Sequence, residues 1–149
     1  MRIQVVCLLL VLLAASVLSK DDKLNRRYKK FRKQHINKQM NTSDCDEVMR
    51  KRKIFVWENK TCKTVNTFIL ADESEVISVC ENGTPEGEEG EYVKSKAVFN
   101  LIACKLTNKK TKYPNCKYEG KELSEKKIVI KCINNYPVHY ERDLRYCEA

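Results

Sequence analysis

The chain has 149 residues, with Lys+Arg 29 against Asp+Glu 20 for a net charge of +9, 42% apolar residues and 33% charged ones. That length excludes a multidomain machine, and the composition is too apolar for a disordered tail and too polar for a protein embedded in a membrane. A soluble basic domain with a pI near 9.1 remains, for which a polyanion is the first partner to consider.

Residues Ile3 to Leu18 form a nearly unbroken apolar run of 16 after Arg2, followed by Ser19 and the charged Lys20-Asp21-Asp22. The run is short for a transmembrane anchor, which needs about 20 apolar residues. It reads as a secretory signal peptide over 1–19, ahead of a single domain over 20–149. Losing Arg2 with the leader takes the charge from +9 to +8. Export changes what the cysteines mean. Cys7 leaves with the leader, while Cys45, Cys62, Cys80, Cys104, Cys116, Cys132 and Cys147 enter an oxidising compartment. With no Cys-x-x-Cys pair and only two His, disulfides are expected and a metal site is not. Seven cysteines allow at most three bridges within one chain, and their spacing does not choose among the pairings.

Leu24, Tyr28, Phe31 and His35 recur at helical spacing among Arg26, Arg27, Lys29, Lys30 and Lys33, which predicts an amphipathic helix over 23–35. Asp44 with Glu47 three residues later resembles a capping box, so a second helix is expected from about Ser43 into the basic cluster Arg50-Lys51-Arg52-Lys53. Beyond residue 60 the pattern turns to short Val-, Ile-, Thr- and aromatic-rich runs, read as strands at 65–70, 75–80, 92–106, 126–133 and 138–142. Between the last two, Asn134-Asn135 is a natural hairpin turn. Helices first and strands later predict an α+β domain with an antiparallel sheet. Asp72 to Glu91 holds eight acidic residues and no Lys or Arg, and the stretch Asn82 to Gly87 within it reads as a loop.

Histidine exchanges protons readily near neutral pH, and His35 and His139 lie at opposite ends of the domain. If helix and strand meet across one cleft, the two imidazoles form a base and acid pair with no metal or other cofactor. RNA is the polyanion such a pair cleaves unaided, because its 2'-hydroxyl is a nucleophile built in beside the scissile phosphate.

Cys62-Lys63-Thr64-Val65-Asn66-Thr67-Phe68 resembles the Cys-Lys-x-x-Asn-Thr-Phe motif of the pancreatic ribonuclease A superfamily at all five fixed positions. Gln34-His35 is similar to that family's first catalytic His with its Gln neighbour, and Tyr136-Pro137-Val138-His139-Tyr140 to its C-terminal Pro-Val-His-aromatic motif. The resemblance implies a helix-on-twisted-sheet fold with His35 as general base, His139 as general acid and Lys63 stabilising charge on the transferred phosphoryl group. It implies Gln34, Lys30 and Lys33 on phosphates, Thr67 as a pyrimidine reader, and Asn66 and Tyr140 beside them in the substrate site. It also implies the bridges Cys45 with Cys104, Cys62 with Cys116, and Cys80 with Cys132.

The fourth disulfide of the mammalian pancreatic enzymes has no counterpart, which resembles the angiogenin branch. The loop that binds the base 3' to the cut in those enzymes is here the acidic stretch, so weak catalysis is expected. Glu141 stands where the family usually has Asp. Cys147 is extra, and a free thiol, a capped thiol and a bridge between chains all stay open. Arg50, Lys51, Arg52 and Lys53 match in position the basic segment that angiogenin-like members use to enter nuclei or nucleoli after uptake. The sequence thus reads as a secreted, monomeric, pyrimidine-preferring endoribonuclease that leaves a 2',3'-cyclic phosphate. The other reading is a cationic defence or signalling protein, bactericidal or angiogenic, whose contact is with anionic glycans, bacterial surfaces or a cell-surface receptor. A cytosolic RNA-binding module is excluded by the leader and the cysteine ladder.

Overall fold

The computed structural model describes residues 2–145, so Cys147 lies outside them. Arg2–His35 form one unbroken helix, α1. No Gly or Pro interrupts this stretch, so the apolar run over 3–18 and the helix expected over 23–35 join without a boundary. The side chains of residues 4–16 are all exposed, and α1 is long and apolar enough to cross a membrane. Among the described residues, no core residue precedes Tyr28.

A 3-10 turn (Thr42–Asp44) leads into α2 (Cys45–Lys51). Asp44 does not form the expected box with Glu47; its carboxylate instead accepts from the backbone N–H of Asn41, 2.7 Å away. β1 (Val65–Ile69) follows. The segment 75–80, expected as a strand, is helical within α3 (Glu73–Asn82). Its Val and Ile content suggested a strand, but Asp72 and Glu75 cap the segment. The Asp72 backbone N–H donates to the Glu75 carboxylate at 2.9 Å, and Val76 and Val79 turn one face to the core.

The stretch 82–87, expected as a loop, contains the short strand β2 (Thr84–Glu86), whose partner is β3 (Tyr92–Lys94). The single run expected over 92–106 is two strands, β3 and β4 (Phe99–Leu106). The break falls at Ser95, whose hydroxyl accepts from the Ile128 N–H and donates to the Ala97 carbonyl. β5 (Tyr118–Ile133) and β6 (Tyr136–Arg145) complete the antiparallel sheet, ordered β1-β4-β5-β3-β2 with β6 on β5. β5 starts eight residues before the expected strand because its first half, polar and mostly exposed, pairs along β4. Gly120 lies in that half where the chain crosses, and a Cβ there would sit 2.2 Å from the Thr42 carbonyl.

The fold is therefore α+β, and alternation along the strands feeds two cores. On one face Ile69, Leu101, Ile128 and Ile130 pack with Phe31 of α1 and with Val76 and Val79 of α3. On the other, Phe68, Ile102 and Cys104 pack with Cys45 and Met49 of α2. Disulfides join Cys45 to Cys104, Cys62 to Cys116, and Cys80 to Cys132.

Candidate active site

His35 ends α1 with its ring buried, 7% exposed, stacked on Tyr140 and tilted against Phe31. Its Nδ1 lies 2.8 Å from the Thr67 carbonyl on β1. A carbonyl only accepts, so Nδ1 carries the proton and Nε2 keeps a lone pair, the state a general base requires. Burial, then the nearby charges of Lys63 and His139, push the imidazole down to about 3, against the favourable Thr67 contact. At neutral pH the ring is uncharged.

Lys63 follows the Cys62 bridge, and its Nζ donates to Asn66 Oδ1 at 2.7 Å, while Asn66 Nδ2 donates to the Gln34 carbonyl at 2.7 Å. Asn66, 1% exposed, thereby ties the lysine to the helix end that carries His35. Partial burial, then Lys30, hold the Lys63 ammonium below the ordinary lysine value. Tyr118 fixes the lysine's backbone by donating to its carbonyl at 2.8 Å.

His139 stands on β6, and the Glu141 carboxylate lies 2.9 Å from its Nε2. The longer acidic side chain at this position thus reaches the imidazole, and it leaves Nδ1 free for a substrate. Gln34, His35, Lys63, Asn66, Thr67, His139 and Tyr140 line one cleft of about 430 Å³, which Arg142 and Asp143 close. Burial, then Asp143, raise the Tyr140 hydroxyl well above its ordinary value.

A second cleft of about 370 Å³ adjoins it across His139 and holds Lys30, Arg27, Tyr92 and Lys131. Tyr92 pairs with Lys131, and Lys131 with His139, across β3, β5 and β6. The three therefore form one row on one face of the sheet. Sequence reasoning missed Tyr92 and Lys131, since their only signal, alternation within the strands, does not say which strands are neighbours. Lys33 is not brought to these clefts; it lines a separate basic groove with Arg32, Lys38 and Arg52.

The basic cluster after α2 divides. Arg50 and Lys53 are exposed, and Lys51 pairs with Glu47 at 2.6 Å. Arg52 donates to the carbonyls of Lys33 and Ile36 at 2.9 and 2.8 Å, capping the C-terminus of α1. The acidic stretch reaches the cleft through Glu86, which pairs with Arg142 at 2.8 Å and Lys94 at 3.8 Å.

A family model described as pancreatic ribonuclease matches residues 26–141. The zebrafish (Danio rerio) protein "Ribonuclease-like 3" is 37% identical over 139 residues, which is 92% of this chain and 92% of that one. "Ribonuclease pancreatic" of Notamacropus rufogriseus is 34% identical over 119 residues, 75% and 93% of the two chains. The solved structure of zebrafish RNase5 superposes with a TM-score of 0.75 at 35% identity, covering 81% of this chain and 97% of that one.

Proposed function

The chain belongs to the pancreatic ribonuclease family and acts on RNA, and from that premise we propose that it is a secreted, metal-independent endoribonuclease that cuts 3' to pyrimidines. The observation that carries this reading is the cleft that joins an uncharged His35, the lysine Lys63 and the carboxylate-backed His139. His35 Nε2 takes the 2'-hydroxyl proton, and the freed oxygen attacks the adjacent phosphorus. Lys63 neutralises charge building on the phosphoryl oxygens, and His139 protonates the departing 5'-oxygen. The products are a 2',3'-cyclic phosphate and a free 5'-hydroxyl, and no other group gains or loses an atom. Gln34 and Lys30 hold phosphate oxygens.

Thr67 supports the pyrimidine preference. Its carbonyl is taken by His35 while its hydroxyl lines the cleft, able to donate to cytosine or accept from uracil. Low turnover is supported by Glu86, which holds Arg142 at the cleft and keeps a carboxylate beside the substrate path. The exposed apolar half of α1, ahead of any core residue, supports removal of residues 1–19 as a signal peptide.

The test is cleavage of an RNA with a single uridine by the chain from Lys20 onward, beside His139→Ala. Cleavage after the uridine with a cyclic phosphate end, abolished in the variant, is the expected result. Full activity in the variant removes His139 from the mechanism.

A further inference from the structure

The cleft across His139 holds groups that the cleavage chemistry leaves without a task. Tyr92 and Lys131 line it, both half-buried, and Arg27 and Lys30 add further donors. In the strand register Lys131 stands between Tyr92 and His139. Among the described residues, no hydrogen bond or ion pair engages the Lys131 ammonium or the Tyr92 hydroxyl. No carboxylate lines the cleft. Glu86 lies opposite Tyr92 on β2, but its oxygens are held by Arg142 at 2.8 Å and Lys94 at 3.8 Å.

The direction of the reaction fixes what enters this cleft. Thr67 lines only the first cleft, where the nucleotide whose 2'-hydroxyl attacks is held. His139 borders both clefts and protonates the departing 5'-oxygen. The departing nucleoside therefore lies beyond His139, against Tyr92 and Lys131.

A base placed there meets an aromatic ring to stack on and an ammonium that donates and never accepts. The four bases answer that ammonium differently. Guanine presents O6 and N7 as adjacent acceptors, whereas adenine sets an amino group beside N7. Cytosine presents an amino group at the same edge, and uracil a single carbonyl.

We propose, on the premise of the ribonuclease reading, that Tyr92 and Lys131 select guanine on the 3' side of the cut. The base stacks on Tyr92, and its O6 and N7 accept from the Lys131 ammonium. An adenine in the same place turns its amino group toward a cation and leaves one donor facing another.

The experiment uses the chain from Lys20 onward. That chain folds without the leader, since among the described residues no core residue precedes Tyr28 and the body superposes on a solved relative over 97% of its length. Calorimetry compares two dinucleotides that cannot be cleaved, 2'-deoxyuridine linked to deoxyguanosine and to deoxyadenosine. The guanine form is expected to bind about tenfold more tightly. Lys131→Gln replaces a pure donor with an amide that both donates and accepts, the pair that the adenine edge demands, so the ratio should fall to about one or invert. Tyr92→Leu should weaken both dinucleotides together and leave their ratio in place, because stacking does not read the edge.

The cleavable ribose forms should show the same ratios in kcat/KM. Hydrolysis of uridine 2',3'-cyclic phosphate, which has no 3' nucleoside, serves as the reference for the shared chemistry in each variant. Equal affinity for the two dinucleotides in the parent chain, or a ratio unmoved by Lys131→Gln, overturns the proposal. Guanine-selective binding by a chain that cleaves neither RNA nor the cyclic phosphate upholds the selection and overturns the ribonuclease reading instead.

Discussion

Neutral His35 in a buried setting binds a proton far less readily than the same imidazole in the unfolded chain, whose ordinary value is about 6.5. Between that value and about 3 the unfolded state therefore holds more protons than the folded one, and stability falls as pH drops through this window. His35→Asn should flatten the decline, by up to about 1.4 kcal/mol per pH unit where the unfolded chain is protonated and the folded one is not. Denaturant unfolding of both proteins from pH 7 to 3 measures it. The same burial predicts that kcat/KM keeps its value below pH 6, with the acid limb below the ordinary imidazole range. Asn66 has no substitute as a link between Lys63 and the Gln34 carbonyl. Asn66→Ala should cost about 1–3 kcal/mol of stability and lower kcat, read by denaturant midpoint and dinucleotide cleavage. The motif residues were legible because each lies inside a contiguous word of the sequence. Tyr92 and Lys131 were not, because only strand register brings them to His139.

At the scale of elements, the acidic stretch is a scaffold as well as a source of charge: Asp72 caps α3 and pairs with Lys38, while Glu86 clamps Arg142 at the cleft. Glu86→Gln should release that guanidinium and remove a carboxylate, raising kcat/KM on RNA about threefold at low salt and less as salt rises. A rise that salt does not diminish would point to repacking instead. The misreading of α3 has a related cause. Val76, Ile77 and Val79 carry strand propensity, yet Asp72 and Glu75 close a helical turn around them, and contact with the sheet rewards the helix. Propensity also hid the first half of β5, whose Gly, Glu, Lys and Ser residues suit a loop until β4 lies alongside.

For the whole molecule, Cys62–Cys116 joins the segment before Lys63 to the loop ahead of β5, and the other two bridges tie α2 to β4 and α3 to β5. Replacing Cys62 and Cys116 with Ala should cost about 2–4 kcal/mol of stability. It should also reduce kcat at temperatures where the chain remains folded, because Lys63 loses its neighbour's anchor. Thermal unfolding beside single-turnover cleavage separates the two effects. Fold class was readable from patterning alone, but the return to helix in α3 after β1 was not, nor was the sheet order, since β1-β4-β5-β3-β2 brings together strands that are far apart in sequence.

The hairpin between β5 and β6 closes through Asn134 and Asn135, with φ of 50° and 64°, and pairs Ile133 with Tyr136. Two residues in the left-handed region form the tightest connection two strands allow, and asparagine tolerates that region. Successive side chains on a strand face opposite ways, so this turn, together with the register shift between Lys131 and Cys132, decides which side of the sheet receives the imidazole. An odd insertion that shifts β6 by one position would present Val138 or Tyr140 where His139 stands, with every reacting residue still in the chain. Two solvent-exposed amides, outside both clefts, thus share with one bulge the decision whether the cleft contains an acid.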